Sequence, residues 1–137
     1  MPDALVTDFI TAIERGNLPH ALTLLAGDCE YDNVPMGKVF GPEAVGQTLA
    51  PFFDRFDEVE WVVHHQVASG TLEHGVVMNE RSDRFRTGDR WASLPVAGVF
   101  VIDNGKISLW RDYFDRESVL RLLAGDAGET EPTGQAG

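Results

Sequence analysis

The hydrophobic pattern of this chain changes period once, at Glu58, and this change restricts the possible folds more than any other feature. Before that residue apolar side chains recur every three to four positions, which is typical of amphipathic helices. Beyond it apolar and polar side chains alternate, which is typical of strands with one buried face. Asp-Asn-Gly at residues 103–105 is a strong hairpin turn signal. The alternation predicts four strands of an antiparallel meander, at residues 58–68, 74–86, 90–103 and 106–115.

Three helices are predicted ahead of these strands. The first covers residues 3–14, where apolar side chains follow the helical spacing. Asn17 is a suitable N-cap for a shorter second helix that continues through Leu25. The third helix begins at Pro42, a residue that fits the first turn, and its apolar pattern continues to about Phe56. The short link between the first two helices predicts an antiparallel pair.

Pro51 falls late in the third helical pattern. A proline inside a helix removes one backbone hydrogen bond, and its ring clashes with the preceding turn. We therefore expect this helix to kink or end near Ala50, with residues 51–56 forming a separate turn.

The remaining segments are a weak strand, a closing helix and a tail. Residues 28–34 alternate weakly before a turn at Pro35, and residues 117–123 have a short helical pattern. Residues 124–137 are rich in Gly, Glu, Thr and Pro without any apolar period. This composition predicts a disordered tail after a single domain of residues 1–123.

Helices followed by hairpin-linked strands predict an α+β domain. In such a domain three to four helices cover one face of a bent, mostly antiparallel sheet. The layout makes a cone whose inner wall is the concave face of the sheet. At 137 residues the chain is long enough for one such domain with one core.

The charge and the cysteine content exclude several classes of partner. The net charge is −11, from 22 acidic and 11 basic residues, and no basic run occurs. Nucleic acids and anionic membranes are bound through clustered Lys and Arg, so both are disfavoured as partners. Cys29 is the only cysteine and has no partner for an internal disulfide. Without a leader or a long apolar span, a cytoplasmic location is expected.

Asp112 is an ionisable residue at a position where the pattern requires core. In the last predicted strand it shares one face with Trp110 and Phe114. A buried carboxylate costs several kcal/mol unless it is protonated or finds a cation and hydrogen bonds. Asp112 therefore needs a partner inside the domain.

Arg81 and Asp83 form a second anomaly, two residues apart on one face of the second predicted strand. Val77 and Phe85 flank them at the same parity, so this face is also predicted to be buried. A guanidinium has five donors in a planar fork, so Arg81 can bridge Asp83 and Asp112. Two carboxylates on one cation titrate as a coupled pair, and one is expected to keep a proton at neutral pH.

Such a pair can act as acid and base in one step. The ionised acid takes a proton from water while the protonated acid donates to a leaving oxygen. Opening a strained cyclic ether needs this combination and requires no oxyanion hole. Tyr31 and Asn33, two apart on the weak strand, offer a phenol and an amide that could hold the water.

Three short motifs together resemble one family. They are Tyr31-Asp32-Asn33, Arg81-Ser82-Asp83 and the run from Trp110 to Asp115, Trp-Arg-Asp-Tyr-Phe-Asp. In this order and at these separations they resemble the Y-x-N, R-x-D and W-R-D-Y-F-D segments of the limonene-1,2-epoxide hydrolases. The resemblance covers roughly residues 3–123.

This resemblance implies a fold, an activity and five roles. It implies a cone-shaped fold like that of nuclear transport factor 2, epoxide hydrolysis without a covalent intermediate or a cofactor, and a homodimer. Asp112 would activate water with the help of Tyr31 and Asn33. Asp83 would protonate the epoxide oxygen, and Arg81 would orient both carboxylates.

The candidate catalytic residues also have interpretations in which they only stabilise the fold. Arg81 and Asp83 could be an ordinary ion pair, and Asp112 could bind a backbone amide. His64 and His65 face opposite ways on a strand and have no further ligands at metal spacing, so no metal site is predicted. The acidic flanks of the single cysteine oppose thiolate formation, so this thiol is read as structural.

Two rival functions remain on the same fold. Ketosteroid isomerases and SnoaL-like cyclases use one Asp to move a proton beside a carbonyl, and such sites favour a neutral donor at the oxygen. A permanently charged Arg81 argues against this class. A non-catalytic module that binds hydrophobic ligands is the third candidate, although five converging polar groups are hard to explain by packing alone.

Overall fold

The computed structural model describes residues 1–125 and contains four helices and one six-stranded sheet in that range. Asn17 caps the second helix by accepting a hydrogen bond from the His20 amide, and Asp115 caps the fourth by accepting one from the Ser118 amide. In chain order the elements are α1 Pro2–Glu14, α2 Leu18–Thr23, β1 Leu25–Asn33, β2 Gly37–Phe40, α3 Pro42–Arg55, β3 Glu58–Gly70, β4 His74–Thr87, β5 Arg90–Asp103, β6 Lys106–Tyr113 and α4 Arg116–Leu123.

The strands form a mixed sheet with the order β2-β1-β6-β5-β4-β3. All neighbouring strands are antiparallel except β1 and β6, which run parallel. The strands β3 to β6 are the predicted meander, and their positions are confirmed to within a few residues. The α+β prediction is confirmed as well, with one parallel pair in an otherwise antiparallel sheet.

Aromatic contacts join the helices to one face of the sheet. Phe9 of α1 makes an edge contact with Trp110 of β6, with ring centroids 5.0 Å apart. Phe52 of α3 packs on Phe85 of β4 with a centroid separation of 5.7 Å. The inward side chains of β4 and β6 therefore lie between the helices and the sheet, where the core forms.

The helix end predicted near Ala50 and the separate turn after it are wrong, because α3 continues through Pro51 to Arg55. One backbone hydrogen bond is lost at a proline within a helix. The turn after it carries Phe52 and Phe56, and both rings pack against Phe85. This apolar packing stabilises the last turn in the place of the missing hydrogen bond.

The end predicted for the second helix, at Leu25, is also wrong. The helix ends at Thr23, and Leu25 begins β1. The amide of Ile107 in β6 donates to the carbonyl of Leu24, with 2.9 Å between the two atoms. This contact with a distant strand overrides the local helical pattern.

Two smaller differences concern the sheet. The four-residue strand β2 was not predicted, and β6 ends at Tyr113 because Asp115 serves as the cap of α4. The closing helix is confirmed. The predicted disordered tail begins at residue 124. From residue 126 onward it lies outside the described residues.

Candidate active site

The Arg81 guanidinium lies between two carboxylates in the interior of the domain. Its Nε donates to Asp83 Oδ1 at 2.8 Å, and its Nη2 donates to Asp83 Oδ2 at 3.2 Å and to Asp112 Oδ2 at 2.8 Å. The Arg81 side chain is fully buried, and both acids are almost as buried. The predicted arrangement of one cation bridging two acids is therefore present.

Strand register explains why these side chains meet. Arg81 and Asp83 share the inward face of β4, and Asp112 has the same orientation two strands away on β6. Between them, Gly98 of β5 pairs with Asp112 on one side and with Asn79 on the other. A Cβ on Gly98 would lie 2.4 Å from Arg81 Nη1, so only glycine leaves room for the guanidinium to cross β5.

Asp112 has a donor on each oxygen. While Arg81 holds Oδ2, the indole Nε1 of Trp110 donates to Oδ1 at 3.1 Å. Trp110 is two residues earlier on the same strand face and is itself buried. Both donors favour the ionised form of this carboxylate and fix its orientation.

Burial acts against the two ionised forms. It raises the pKa of Asp83 to about 7, although Arg81 opposes the shift, and the charge of Asp112 adds to it. Burial also raises the pKa of Asp112, while Arg81 and Trp110 act in the opposite direction. The two acids are coupled through one guanidinium, so they titrate as a pair.

The Trp61 indole covers the guanidinium from the side of β3. The centre of the Arg81 guanidinium lies 4.4 Å from the ring centroid, which is a cation–π contact. Trp61 is paired with Asp83 in the strand register. Its Nε1 has no hydrogen-bond partner among residues 1–125.

The parallel pairing of β1 with β6 brings in the two remaining predicted residues. In the strand register Tyr31 pairs with Trp110, and Asn33 pairs with Asp112. The Tyr31 ring stacks on Trp110 with centroids 3.9 Å apart. Burial, and then the charge of Asp112, raise the pKa of the Tyr31 phenol, so it remains a neutral hydroxyl at any physiological pH.

Four of the five predicted residues line one cavity, namely Tyr31, Asn33, Asp83 and Asp112. Arg81 lies behind the two acids and is not part of the cavity wall. The cavity contains about 570 Å³ of space, including its open mouth. The rest of its wall is apolar and consists of Ile13, Leu49, Phe52, Phe53, Val59, Trp61, Phe85, Leu94, Val96, Phe114 and Val119.

Asn79 and Gly98 were missed by the sequence analysis. Asn79 lies between Val77 and Arg81 at the same parity of β4, and this position was the available signal for a buried polar group. Its Oδ1 accepts from Arg81 Nη1 at 3.0 Å. The signal for Gly98 was absent, because its importance depends on which residues lie beside it in neighbouring strands.

The histidines and the cysteine that were considered earlier lie away from the cavity wall. His64 contacts the Ser82 hydroxyl and His65 contacts Glu80, both on exposed surface. Cys29 is buried, and burial raises the pKa of its thiol. Within residues 1–125, no three His, Cys, Asp or Glu side chains are grouped as metal ligands would be.

Comparison with known proteins gives a family match over nearly the whole described chain. Residues 2–124 match the model of the limonene-1,2-epoxide hydrolase catalytic domain. Epoxide hydrolase EphG of Mycobacterium tuberculosis is 31% identical over 118 residues, which cover 86% of this chain and 76% of that protein. A solved LEH-like epoxide hydrolase from M. tuberculosis has 27% identity and a TM-score of 0.70, with coverage of 89% of this chain and 94% of the other.

More distant structures share the fold. An NTF2-like protein of unknown function from Cytophaga hutchinsonii has a TM-score of 0.70 at 21% identity, covering 88% of this chain and 95% of its own. A SnoaL-like polyketide cyclase from Shewanella putrefaciens has a TM-score of 0.73 at 14% identity, covering 88% and 84%. The cone-shaped α+β fold of the nuclear transport factor 2 type is therefore confirmed.

Proposed function

This chain belongs to the limonene-1,2-epoxide hydrolase family, and we propose that it adds water in one step to a small, mostly apolar epoxide to give a vicinal diol. The observation that carries the proposal is the pair of buried acids on one guanidinium at the wall of an apolar cavity. Tyr31 and Asn33 share this wall and supply neutral hydrogen-bonding groups beside Asp112.

The charge of the buried group supports a shared proton. With one acid ionised and the other protonated, the carboxylate and the Arg81 cation sum to zero. With both acids ionised the buried group would carry one uncompensated negative charge, which is costly. One protonated and one ionised acid is also the combination that ring opening requires.

In the proposed reaction Asp112 is the base. It carries two donors that stabilise the ionised form, and Asn33 and Tyr31 lie beside it to hold a water molecule. Asp112 takes one proton from this water as the water oxygen bonds to an epoxide carbon. No covalent bond between enzyme and substrate is formed.

Asp83 is the proposed acid. Its pKa of about 7 allows it to hold a proton near neutral pH and to donate this proton as the ring C–O bond breaks. The epoxide oxygen keeps the electron pair of that bond and takes the proton from Asp83, which makes one hydroxyl. The incoming water provides the other. Return of a proton from Asp112 to Asp83 restores the starting state.

Incubation with a panel of cyclic and terminal epoxides in oxygen-18 water tests the proposal. We expect diol formation with the label in the new hydroxyl during a single turnover, because water attacks carbon directly. An ester intermediate would instead place unlabelled carboxylate oxygen in the first diol. Absence of any diol from the whole panel would refute the proposed activity.

A ketosteroid-isomerase-like or SnoaL-like reaction is the runner-up. The fold likeness to a SnoaL-like cyclase supports it, and one buried Asp at a cavity is enough for its chemistry. A permanent cation between two acids disfavours it. Isomerisation of an enone by a protein that leaves epoxides unchanged would favour this reading, and tight binding of apolar ligands without product would favour a binding module.

A homodimer is the assembly that we propose. Val67, Met78 and Tyr113 are large exposed apolar side chains in one shallow groove on the outer face of the sheet. Light scattering of the purified chain should give twice the monomer mass, and Met78→Lys should shift the protein towards monomer. A monomeric mass for the wild type would exclude this assembly.

A cytoplasmic location is also proposed, supported by the single buried thiol. In the part of the chain that the structure describes, none of the helices has the length and hydrophobicity that a membrane crossing requires. Cell fractionation with an antibody against the chain tests the location, and recovery outside the cytoplasmic fraction would contradict it.

A further inference from the structure

We propose that Asn79 is a positioning residue for epoxide hydrolysis, because its side-chain oxygen holds the arm of the Arg81 guanidinium that binds neither acid. Gln66 of β3 holds Asn79 in turn. The inference rests on the proposed function, since the two acids that Arg81 orients are the proposed acid and base.

The hydrogen bonds of Asn79 fix its orientation. Arg81 Nη1 can only donate, so the atom that it contacts at 3.0 Å must be the amide oxygen. The amide nitrogen of Asn79 then donates to Gln66 Oε1 at 3.1 Å. Asn79 is only 5% exposed, so its amide depends mainly on these two contacts with the protein. Each end of the amide therefore has one assigned role.

The space around Gly98 shows why the Nη1 arm needs a holder. Arg81 Nη1 lies 2.4 Å from the point where a Cβ of Gly98 would be, and Asn79 Oδ1 and Asp112 Oδ1 each lie 3.0 Å from it. Two acceptors thus flank this arm. Without Asn79, rotation of the guanidinium towards Asp112 would satisfy the free arm. That rotation would weaken the contacts with Asp83, so Asn79 keeps the cation shared between the two acids.

The neutrality of Asn79 matters as much as its geometry. An aspartate at this position would place a third acid on one guanidinium, and the buried group would then bind a proton more tightly. The other charged or titratable groups that face the acids are Glu14 of α1 and Tyr31 of β1. Neither of these is changed in the variants below.

The test compares Asn79→Leu, Asn79→Thr and Asn79→Asp with the wild type. We expect Asn79→Leu to lower kcat roughly 10- to 100-fold with KM changed less than about twofold, because a misplaced catalytic group mainly affects the chemical step. Asn79→Thr keeps an oxygen acceptor and should recover part of this loss. Asn79→Asp should shift the pH profile of kcat to higher pH.

Two controls separate positioning from stability. Val77→Ala alters a fully buried residue on the same strand face without touching the polar chain. It should lower the melting temperature and leave the pH profile of kcat unchanged. Gln66→Leu should reproduce the effect of Asn79→Leu in weaker form. The proposal is overturned if Asn79→Leu retains full kcat, or if Val77→Ala at equal stability loses as much.

A second readout is independent of turnover. Carbon-13 NMR of the aspartate carboxyls follows the titration of Asp83 and Asp112 in the resting protein. Asn79→Asp should raise the titration midpoint of the pair. Asn79→Leu should change the titration curve of Asp83 relative to that of Asp112. Unchanged titration would overturn the role of Asn79 even if no epoxide is turned over, whereas loss of the proposed function alone would leave these shifts in place.

Discussion

Two arginines in this molecule each bridge two acids, one inside the cone and one on the outer face of the sheet. Arg81 binds Asp83 and Asp112 with its side chain fully buried. Arg111 binds Glu30 and Asp32 at 3.0 and 2.9 Å with 31% of its side chain exposed. The distances are nearly the same, so hydrogen-bond geometry does not distinguish the two clusters.

The electrostatic consequences of the two clusters are opposite. The Arg111 hydrogen bond lowers the pKa of Glu30 below its ordinary value, whereas burial raises the pKa of Asp83 to about 7. Solvent reaches the ions of the outer cluster, whereas the side chains of the inner cluster are almost completely buried. Burial therefore turns an ordinary ion pair into a group that can exchange a proton near neutral pH.

Removing the proposed base is the strongest way to separate the two clusters. Asp112→Asn keeps the shape of the side chain and removes its basicity, so kcat should fall about 1,000-fold with the fold intact. The matched change Glu30→Gln in the outer cluster should leave kcat within about twofold. Diol assays on both variants give the comparison, and turnover by Asp112→Asn at the wild-type rate would refute the role of this acid.

Removing each arginine tests stability. Arg81→Met leaves two acids buried without a cation, which should destabilise the protein by about 3 to 5 kcal/mol. Arg111→Met breaks a partly exposed cluster and should have a much smaller effect. Urea unfolding at pH 7 measures both.

Arg81→Lys covers the case in which Arg81→Met does not fold. It keeps the charge but lacks the planar fork with which Arg81 orients both carboxylates, so it should fold and lose most of its activity. Equal destabilisation by Arg81→Met and Arg111→Met would contradict the importance of burial.

The pH dependence of the rate is a finer test. Activity requires a proton on Asp83, so kcat should fall about tenfold per pH unit above the pKa of about 7. The outer cluster should not affect the fall of kcat above pH 7, so Glu30→Gln should give the same pH profile as the wild type. A rate that stays constant to pH 9 would rule out Asp83 as the acid.

The pH dependence of stability tests the raised pKa of Asp83 without turnover. The folded-state pKa of Asp83 lies above the unfolded value, so the native state binds more protons between about pH 4 and pH 7. This contribution to stability is complete below pH 4 and is lost as pH rises through 7, by up to about 1.4 kcal/mol per pH unit. Glu30 has the opposite sign, because its lowered pKa contributes stability that is lost at acidic pH.

Urea titrations of Asp83→Asn and Glu30→Gln across pH 3 to 9 separate the two contributions. Asp83→Asn should flatten the slope between pH 4 and 7, and Glu30→Gln should alter only the acidic end. A wild-type stability that rises steadily from pH 4 to 7, unchanged in Asp83→Asn, would contradict the raised pKa.

The sequence predicted the inward-facing acids because strand alternation is a local property. Arg81, Asp83 and Asp112 each occur at an apolar parity, and parity is preserved in the folded sheet. Tyr31 and Asn33 were predicted from their spacing on the weak strand, and the family resemblance added their roles beside Asp112. In the strand register they pair with Trp110 and Asp112. Their catalytic roles stay predictions.

What the sequence could not predict depends on contacts between distant segments. The space that Gly98 provides exists only because β4 and β6 flank β5. Likewise, α3 passes through Pro51 because Phe85 of a later strand packs on its last turn. In both cases a partner far along the chain decides the outcome, and no local pattern reports that partner.

The parallel pairing of β1 with β6 has a consequence for how the protein comes into being. Asp32 and Arg111, which meet across this pair, are 79 positions apart in the chain. During synthesis the proposed water-holding residues Tyr31 and Asn33 emerge early, while the proposed base, Asp112, emerges late in the described chain. The two halves of the site meet only after nearly all of the described chain has left the ribosome. Contacts of such long range form slowly, so we expect the proposed site to be completed late in folding.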